Sequence, residues 1–293
     1  MNVDNELISW LLEESNPWVR LRALTGLCDL PEDHDEVKSS RLRVIQTLDA
    51  ARDLSWMEQK GLALIYNLTA LAESGLTRED VTIDPIVDKL MLLPFEAGCG
   101  DMMLLRALVM LGYGSDSRVN ERIEQAADMQ LEDGGWLCLQ RVMKMNRTPK
   151  SCIKADMHGL LLFGELKKKA IAPDCSGRLI EYFLKRRLFY RMDNPTELVL
   201  NSRPGWRMTD VFFPIEVMRV GLPILLDAFA VLGTGRAPEL EEAWRLLEEK
   251  ADWQGKVGLD GTLSKAYLPK ERVGKPSKWG TLYACLALKN RYI

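Results

Sequence analysis

The sequence predicts an all-α protein. Apolar residues recur at three- and four-residue spacing along most of the 293 residues, which is the period of an amphipathic helix. Stretches with the two-residue alternation of a strand are nearly absent. Gly, Pro and Asp separate the helical segments, so that a more apolar helix is followed by a turn and then by a more amphipathic helix. The chain is therefore expected to fold as a series of helical hairpins.

The first hairpin follows an N-terminal helix at residues 2–14. Asn16 and Pro17 end that helix and begin the next, because Asn can cap a helix and Pro fits its first turn. An apolar helix at 18–27, a turn at 29–34 and a more polar helix at 36–50 complete the hairpin.

The same arrangement repeats through the rest of the chain. Further apolar helices are predicted at 56–73, 101–111, 151–166, 214–232 and 277–289, and amphipathic helices at 84–91, 119–129, 176–188 and 239–250. The sum is six apolar helices and five amphipathic helices that follow them. The helix at 2–14 is the missing sixth amphipathic partner.

A stack of hairpins leaves apolar faces at its two ends unless the stack is capped or closed. Closure into a ring pairs the helix at 2–14 with the helix at 277–289 and makes residues 1–293 a single domain. The apolar helices then form an inner ring and the more polar helices an outer ring. A gently curved open solenoid is the alternative.

One turn has a distinctive composition, with Gln130, Gly134 and Trp136 at the end of the helix at 119–129. Gly134 and Gly135 can adopt the positive φ that ends a helix. Trp136 can fold back as a large apolar plug, and Gln130 can hydrogen-bond the exposed backbone of the turn. We expect these residues to seal one hairpin against the next, which is a structural role.

Composition excludes several classes of protein. The net charge of −3 and the pI near 5.7 give no basic field for nucleic acid. No apolar run approaches the roughly 20 residues that a membrane span needs. The first residues lack the basic and then apolar pattern of a signal peptide, so a cytoplasmic location is expected. The six cysteines are scattered without C-x-x-C pairs, which predicts free thiols rather than a disulfide framework.

Six hairpins with a glutamine–tryptophan turn resemble the α/α toroid of squalene and oxidosqualene cyclases, class II terpene cyclases and the β subunits of protein prenyltransferases. Phe213-Pro214, the Leu-rich residues 223–232, Gly233-Thr-Gly235 and residues 275–284 resemble short prokaryotic prenyltransferase- or squalene-oxidase-repeat proteins. The resemblance implies a terpene-cyclase-like or prenyltransferase-like enzyme that binds an isoprenoid or similar hydrophobic small molecule in a central cavity. The same fold serves unrelated chemistries.

Two signatures of these families can be compared with the sequence. The Asp-x-Asp-Asp segment of protonation-type cyclases is missing, since Asp33-His34-Asp35 belongs to a turn. Prenyltransferases resemble one another in a zinc site built from an Asp, a Cys two residues later and a downstream His. Here Asp133 and Cys138 are five residues apart, so the pattern is altered.

Zinc remains a possible cofactor, because Cys and His are its preferred ligands. The candidate ligands are Cys138, Cys152 and His158. Asp156 lies one helical turn from Cys152, whereas His158 lies about 200° around the helix from Asp156. Buried thiols and a hydrogen-bonded His are the alternative.

Acidic residues near the starts of the apolar helices are candidate catalytic groups. In a toroid these positions converge on the central cavity, where burial would raise a carboxyl pKa and keep the proton for general acid catalysis. The candidates are Asp101, Asp156, Asp210 and Glu216. Helix capping is the alternative explanation for each of them.

Aromatic residues could line the same cavity and stabilise a carbocation through cation–π attraction, although core packing is an alternative. The candidates are Trp206, Phe212, Phe213, Trp279 and Tyr283. Basic residues between 141 and 154 and between 185 and 191 could bind a diphosphate head group, or they could be ordinary surface charge. Residues 137–150 and 191–213 are long connections and candidate lids.

Two other functional classes stay open. The missing acid segment and the altered zinc pattern are also typical of a non-catalytic helical-repeat protein that binds a ligand or a partner. A carbohydrate-active toroid would need paired acids and exposed aromatic platforms. The character of the cavity distinguishes these classes.

Overall fold

The computed structural model describes residues 1, 3–51, 61–137, 151–173, 175–200, 203–262 and 271–292. This part of the chain is all-α, as predicted, with twelve α-helices and only isolated β-bridges. None of the helices described combines the length and the apolarity needed to cross a membrane.

The helices follow the predicted order. They are α1 (Asn5–Leu11), α2 (Pro17–Gly26), α3 (Asp35–Ala51), α4 (Leu62–Glu73), α5 (Asp84–Met91), α6 (Cys99–Met110), α7 (Ser117–Asp128), α8 (Ile153–Lys168), α9 (Ser176–Leu184), α10 (Leu222–Val231), α11 (Glu241–Glu249) and α12 (Lys278–Asn290). Two short 3-10 segments lie at Tyr113–Ser115 and Pro238–Leu240. The predicted start of α4 at residue 56 falls outside the described residues.

Side-chain caps account for several helix starts. Asp4 accepts hydrogen bonds from the backbone N–H groups of Glu6 and Leu7 at the start of α1. The Asn16 side chain accepts a bond from the Val19 N–H at 3.2 Å, directly before Pro17. These caps pair N–H groups that have no partner within the helix.

One predicted helix begins later than expected. The sequence predicts a helix from residue 214, but α10 begins at Leu222 and residues 214–221 form a turn instead. Glu216 and Arg219 exchange two backbone hydrogen bonds of 3.0 Å across this turn. Pro223 is in the first turn of α10, where its ring would clash with the backbone of a preceding helical turn. Glu216 therefore precedes the helix rather than belonging to it.

The even-numbered helices pack against one another in succession. α4 contacts α6, α6 contacts α8, α8 contacts α10, α10 contacts α12, and α12 contacts α2. These helices are apolar on most sides: residues 102–110 of α6 and 222–230 of α10 are all buried. A helix that is apolar all round belongs in the interior, as the sequence predicted for this set.

Ion pairs with buried carboxylates connect these helices. Arg106 of α6 lies 2.6 Å from Glu73 of α4 and 3.7 Å from Glu165 of α8. Lys168 bridges Glu165 at 3.3 Å and Asp227 of α10 at 3.1 Å. Burial alone would raise the pKa of Glu165, but Lys168 and Arg106 lower it to about 2. Because the groups come from corresponding ends, the helices run in the same direction.

The remaining two even-numbered helices join the same network. The Tyr283 hydroxyl of α12 donates to Glu73 and accepts a bond from Arg106 at 3.4 Å. Arg22 of α2 lies over the Tyr283 ring, 6.0 Å from its centroid. All six helices of the set thus contribute to one polar cluster around the buried carboxylates of Glu73, Glu165 and Asp227.

Side-chain contacts also connect each odd-numbered helix, or the residues flanking it, with the next one. Each junction is made by an ion pair or hydrogen bond: Glu14 with Arg43, Arg41 with Asp80, Asp88 with Arg118, Gln130 with Cys175, Arg187 with Glu242, and Glu248 with the N-terminal amine of Met1. The last of these joins the end of α11 to the beginning of the chain. Lys278 of α12 also donates to the Trp10 carbonyl of α1 at 2.8 Å.

Candidate functional site

The glutamine–tryptophan turn has the construction that the sequence predicts. The Gln130 side-chain amide donates to the Gly134 carbonyl at 2.8 Å and to the Cys175 carbonyl at 3.2 Å. Gly134 has φ +91°, which favours glycine. Trp136 is 1% exposed, and its indole N–H donates to the Ala126 carbonyl at 2.7 Å. The turn joins α7 to the start of α9 and is structural.

Asp156 supports this turn from α8. Its Oδ1 accepts the backbone N–H of Trp136 at 2.9 Å. A Cβ at Gly135 would lie 2.5 Å from the same oxygen, so only glycine allows the contact. Asp156 is completely buried, and burial raises its pKa to about 8. The carboxyl therefore holds a proton at neutral pH, but it lies sealed behind the turn.

Two other predicted acids have local structural partners. Asp101 accepts the backbone N–H groups of Glu96 and Gly98, both at 3.1 Å, ahead of α6. Asp210 accepts the N–H groups of Gly205 at 2.7 Å and Arg207 at 3.0 Å. Asp101 caps a helix, and Asp210 shapes the loop that precedes the turn at 214–221.

Glu216 is the predicted acid that meets side chains from other elements. Arg219 donates from Nε to Glu216 Oε1 at 2.6 Å. The Arg219 guanidinium lies 4.0 Å from the ring centroids of both Trp206 and Phe212, within cation–π range. The Tyr66 hydroxyl of α4 approaches Glu216 Oε2 at 3.5 Å across 150 residues of sequence. Burial and the neighbouring Glu216 raise the pKa of Tyr66 to about 12.

His158 of α8 contacts the backbone of the turn at 214–221. Its Nε2 lies 3.0 Å from the Glu216 carbonyl oxygen, so the Nε2–H form donates to it. Burial lowers the pKa of His158 to about 4, and the ring is neutral at physiological pH. We call Tyr66, His158, Trp206, Glu216 and Arg219 the Glu216 cluster.

Cations lie beside this cluster. The Lys154 ammonium is 3.2 Å from the Met218 sulfur, which is a weak acceptor. The Arg203 guanidinium lies over Trp206, 4.9 Å from its centroid. Lys154 and Arg203 thus contact Met218 and Trp206, whereas Arg219 pairs with the Glu216 carboxylate itself.

The other predicted aromatic residues lie elsewhere. Phe213 stacks on Trp279 with ring centroids 4.3 Å apart and lies 6.3 Å from Tyr283. All three are buried, with exposed fractions of 4% or less. Their side chains pack in the core between α12 and the loop before α10. They do not form part of the group around Trp206 and Phe212.

The candidate zinc ligands do not gather in the part of the chain that the structure describes. There, no group of three His, Cys, Asp or Glu side chains could hold a metal ion. His158 Nε2 is bonded to the Glu216 carbonyl, and the Cys152 N–H donates to the Trp136 carbonyl at 2.7 Å. Cys138 lies outside the described residues. No two of the five described cysteines are joined by a disulfide, and no reaction step is assigned to zinc.

Several other predictions fall on undescribed or surface residues. Residues 138–150 of the candidate lid at 137–150 lie outside the described part of the chain. Four residues of the first basic group lie in the same range: Arg141, Lys144, Arg147 and Lys150. The second basic group makes surface ion pairs, such as Arg187 with Glu242 and Arg191 with Asp193.

Sequence reasoning missed Tyr66 and Arg219. Tyr66 is a polar-tipped residue in an otherwise apolar helix, and Arg219 follows Glu216 by three residues. Each residue could have been noticed because it is polar among mainly apolar neighbours. Its position in the sequence does not, however, reveal that it contacts the Glu216 carboxylate.

No protein-family model matches the chain, and a search of curated proteins found no match. Among solved structures, the chain is similar to one described as a polysaccharide lyase, with a TM-score of 0.39 and 16% sequence identity over 77% of this chain and 71% of that chain.

Proposed function

We propose that residues 1–293 form a single α/α toroid of six hairpins, with the even-numbered helices as the inner ring and the odd-numbered helices as the outer ring. The succession of contacts from α4 to α12 and on to α2 supports the inner ring. The junctions between the odd-numbered helices support the outer ring. In this arrangement α1 is the outer partner of α12 and closes the ring.

We further propose that the protein is a cytoplasmic, terpene-cyclase-like or prenyltransferase-like enzyme that acts on an isoprenoid or similar hydrophobic small molecule. The observation that carries this proposal is the approach of Tyr66 and Arg219 to one carboxylate, that of Glu216. The ion network joins the later turns of the inner helices through Glu73, Arg106, Glu165 and Lys168. The substrate would therefore enter from the end at which these helices begin, where the Glu216 cluster lies.

The cluster offers groups for both parts of an isoprenoid diphosphate. Arg219, Arg203 and Lys154 would neutralise the head group as its C–O bond breaks and the electron pair leaves with the diphosphate. The remaining allylic carbocation would be stabilised by the Tyr66 ring and the Glu216 carboxylate. Glu216 could then accept a proton from the adjacent carbon to give an alkene. Protonation by Asp156 would require the glutamine–tryptophan turn to open, so we place the reactive carboxylate at Glu216.

A non-catalytic helical-repeat protein is the second candidate. The observation that favours it is the network of Arg106, Glu73 and Glu165, whose buried side chains join three of the inner helices. Buried side chains that join the helices in this way would suit a rigid scaffold. They would equally suit the floor of a cavity.

The test is product formation from farnesyl diphosphate and from squalene, followed by gas chromatography and mass spectrometry. Glu216→Gln and Tyr66→Phe should each reduce turnover by about tenfold or more, since each removes a group proposed to act on the cation. Asp84→Asn is a matched control, because Asp84 accepts from the Tyr113 hydroxyl at 2.5 Å and pairs with Arg78 in a similar arrangement outside the cluster.

The control variant should keep full turnover. Equal loss in Asp84→Asn and Glu216→Gln would assign both effects to stability and count against the site. If the wild-type protein forms no product and retains no lipid-sized molecule in native mass spectrometry, the scaffold becomes the better explanation.

A further inference from the structure

A cleft lies where the turn after α11 meets α1. It encloses about 530 Å³ and is lined by residues that include Asp4, Glu6, Trp10, Trp253, Gln254 and Lys256. None of the residues of the Glu216 cluster lines it. Its volume is within the range of small-molecule sites in proteins.

Trp253 is presented to solvent by a well-defined turn. The residue is 89% exposed, which is unusual for the largest apolar side chain. Asp252 Oδ1 accepts the backbone N–H groups of Gln254 at 2.9 Å and Lys256 at 3.0 Å, and Gly255 has φ +76°. The backbone at the tip of the turn is thus fixed by hydrogen bonds, and the indole projects from it as an open platform.

Trp10 lines the same cleft and already has cationic neighbours. The ammonium groups of Lys256 and Lys278 lie 4.8 Å and 5.3 Å from its ring centroid. Lys278 also donates to Glu13 at 2.8 Å, and this hydrogen bond lowers the pKa of the Glu13 carboxyl. These two ammonium groups already lie over the Trp10 ring, where an organic cation would bind, and an anion would meet the carboxylates of Asp4, Glu6 and Glu13.

A neutral ligand with an apolar face and a polar edge best suits this cleft, because tryptophan and polar side chains line it together. The open indole of Trp253 can pack against the C–H face of a sugar ring. The Lys256 ammonium donates to Gln254 Oε1 at 3.0 Å, which leaves the Gln254 amide N–H groups and the remaining Lys256 N–H groups as donors and the Glu6 carboxylate as an acceptor. Sugar hydroxyls both donate and accept, so they match this mixture. We propose that the cleft between α1 and the 252–256 turn is a carbohydrate-binding site, separate from the proposed reaction.

The proposal is tested by isothermal titration of the full chain with cellohexaose, xylohexaose, mannohexaose and chitohexaose, each up to about 10 mM, which covers weak binding. At least one of these sugars should bind. Trp253→Ala should weaken that binding about tenfold or more, as expected for an aromatic anchor, and Trp253→Phe should retain part of it. Leu92→Ala, at a residue 85% exposed elsewhere on the surface, is the matched control and should bind normally.

Because the Trp253 side chain is exposed, its replacement should leave the melting temperature unchanged, and this is checked for each variant. Absence of binding by all four sugars, or binding that survives Trp253→Ala, overturns the proposal. So does binding of arginine or adenosine, but of none of the sugars, at this cleft. Product formation at the Glu216 cluster is measured independently of these results.

Discussion

Replacement of Asp156 by Asn should raise the free energy of unfolding at neutral pH. Burial raises the pKa of this carboxyl from 3.8 to about 8, so the folded protein holds a proton that the unfolded chain releases. One pKa unit corresponds to about 1.36 kcal/mol, and the interval from 3.8 to pH 7 therefore costs the wild-type fold about 4 kcal/mol. Asn needs no proton and can still accept the Trp136 N–H through its side-chain oxygen.

The pH dependence follows from the same shift. Between about pH 4 and pH 8 the folded state binds more protons at Asp156 than the unfolded state, so its contribution to stability falls as the pH rises. Asp156→Asn removes this slope. The advantage of the variant over the wild type should therefore grow by about 3 kcal/mol between pH 5 and pH 7.

Urea unfolding of both proteins at pH 5, 6 and 7 measures this difference. Asp101→Asn is a control for capping by an acid near a helix start, with an expected loss of about 1 kcal/mol. A difference between wild type and Asp156→Asn that stays constant from pH 5 to pH 7 would refute the buried, protonated state of Asp156.

Three further predictions concern the ion network and the glycines. Arg106→Met should lower the free energy of unfolding by about 3–5 kcal/mol, because it removes the cation paired with the buried carboxylate of Glu73. Arg118→Met, at exposed ion pairs, should cost less than about 1 kcal/mol in the same urea titration. Gly134→Ala should cost more than about 3 kcal/mol, since its Cβ would lie 2.4 Å from the backbone of α9 at φ +91°. Gly233→Ala, at φ +82° in open space, should cost only about 1–2 kcal/mol in thermal unfolding. Glu165→Gln should make stability less sensitive to acid: with its pKa lowered to about 2, Glu165 contributes above its usual pKa of 4.5, and that contribution is lost as the pH falls towards 2. Unfolding curves at pH 5 and pH 3 that change equally in both proteins would contradict this.

The order of the helices was predictable because it depends on neighbours in the sequence. Apolar spacing indicated the twelve helices, and Asn16, Pro17 and Gly134 marked boundaries through capping and backbone conformation. The glutamine–tryptophan turn was predictable for the same reason, since Gln130 and Gly134 are only four residues apart. The late start of α10 was missed because the apolar pattern of residues 214–221 is compatible with a helix. In the structure these residues form a tight turn at Glu216 instead.

The candidate site was only partly predictable. Glu216, Trp206 and Phe212 were named from their place in the chain, and the structure brings them together around Arg219. Asp156 was expected to be buried and protonated, which agrees with its raised pKa. Its role in holding the Trp136 turn depends on a contact between α8 and the preceding loop, which spacing within one helix cannot reveal.

The sequence by itself determined the all-α class, the succession of hairpins and the chemistry of their turns, because these follow from interactions within a few residues. Only the tertiary structure decided which distant groups meet. Tyr66 reaches Glu216 across 150 residues, and Tyr283 reaches Glu73 across 210. Such contacts are set by the rotation and the relative height of packed helices. A shift of one helical residue turns a side chain by about 100°, so the same apolar pattern is compatible with many different pairings.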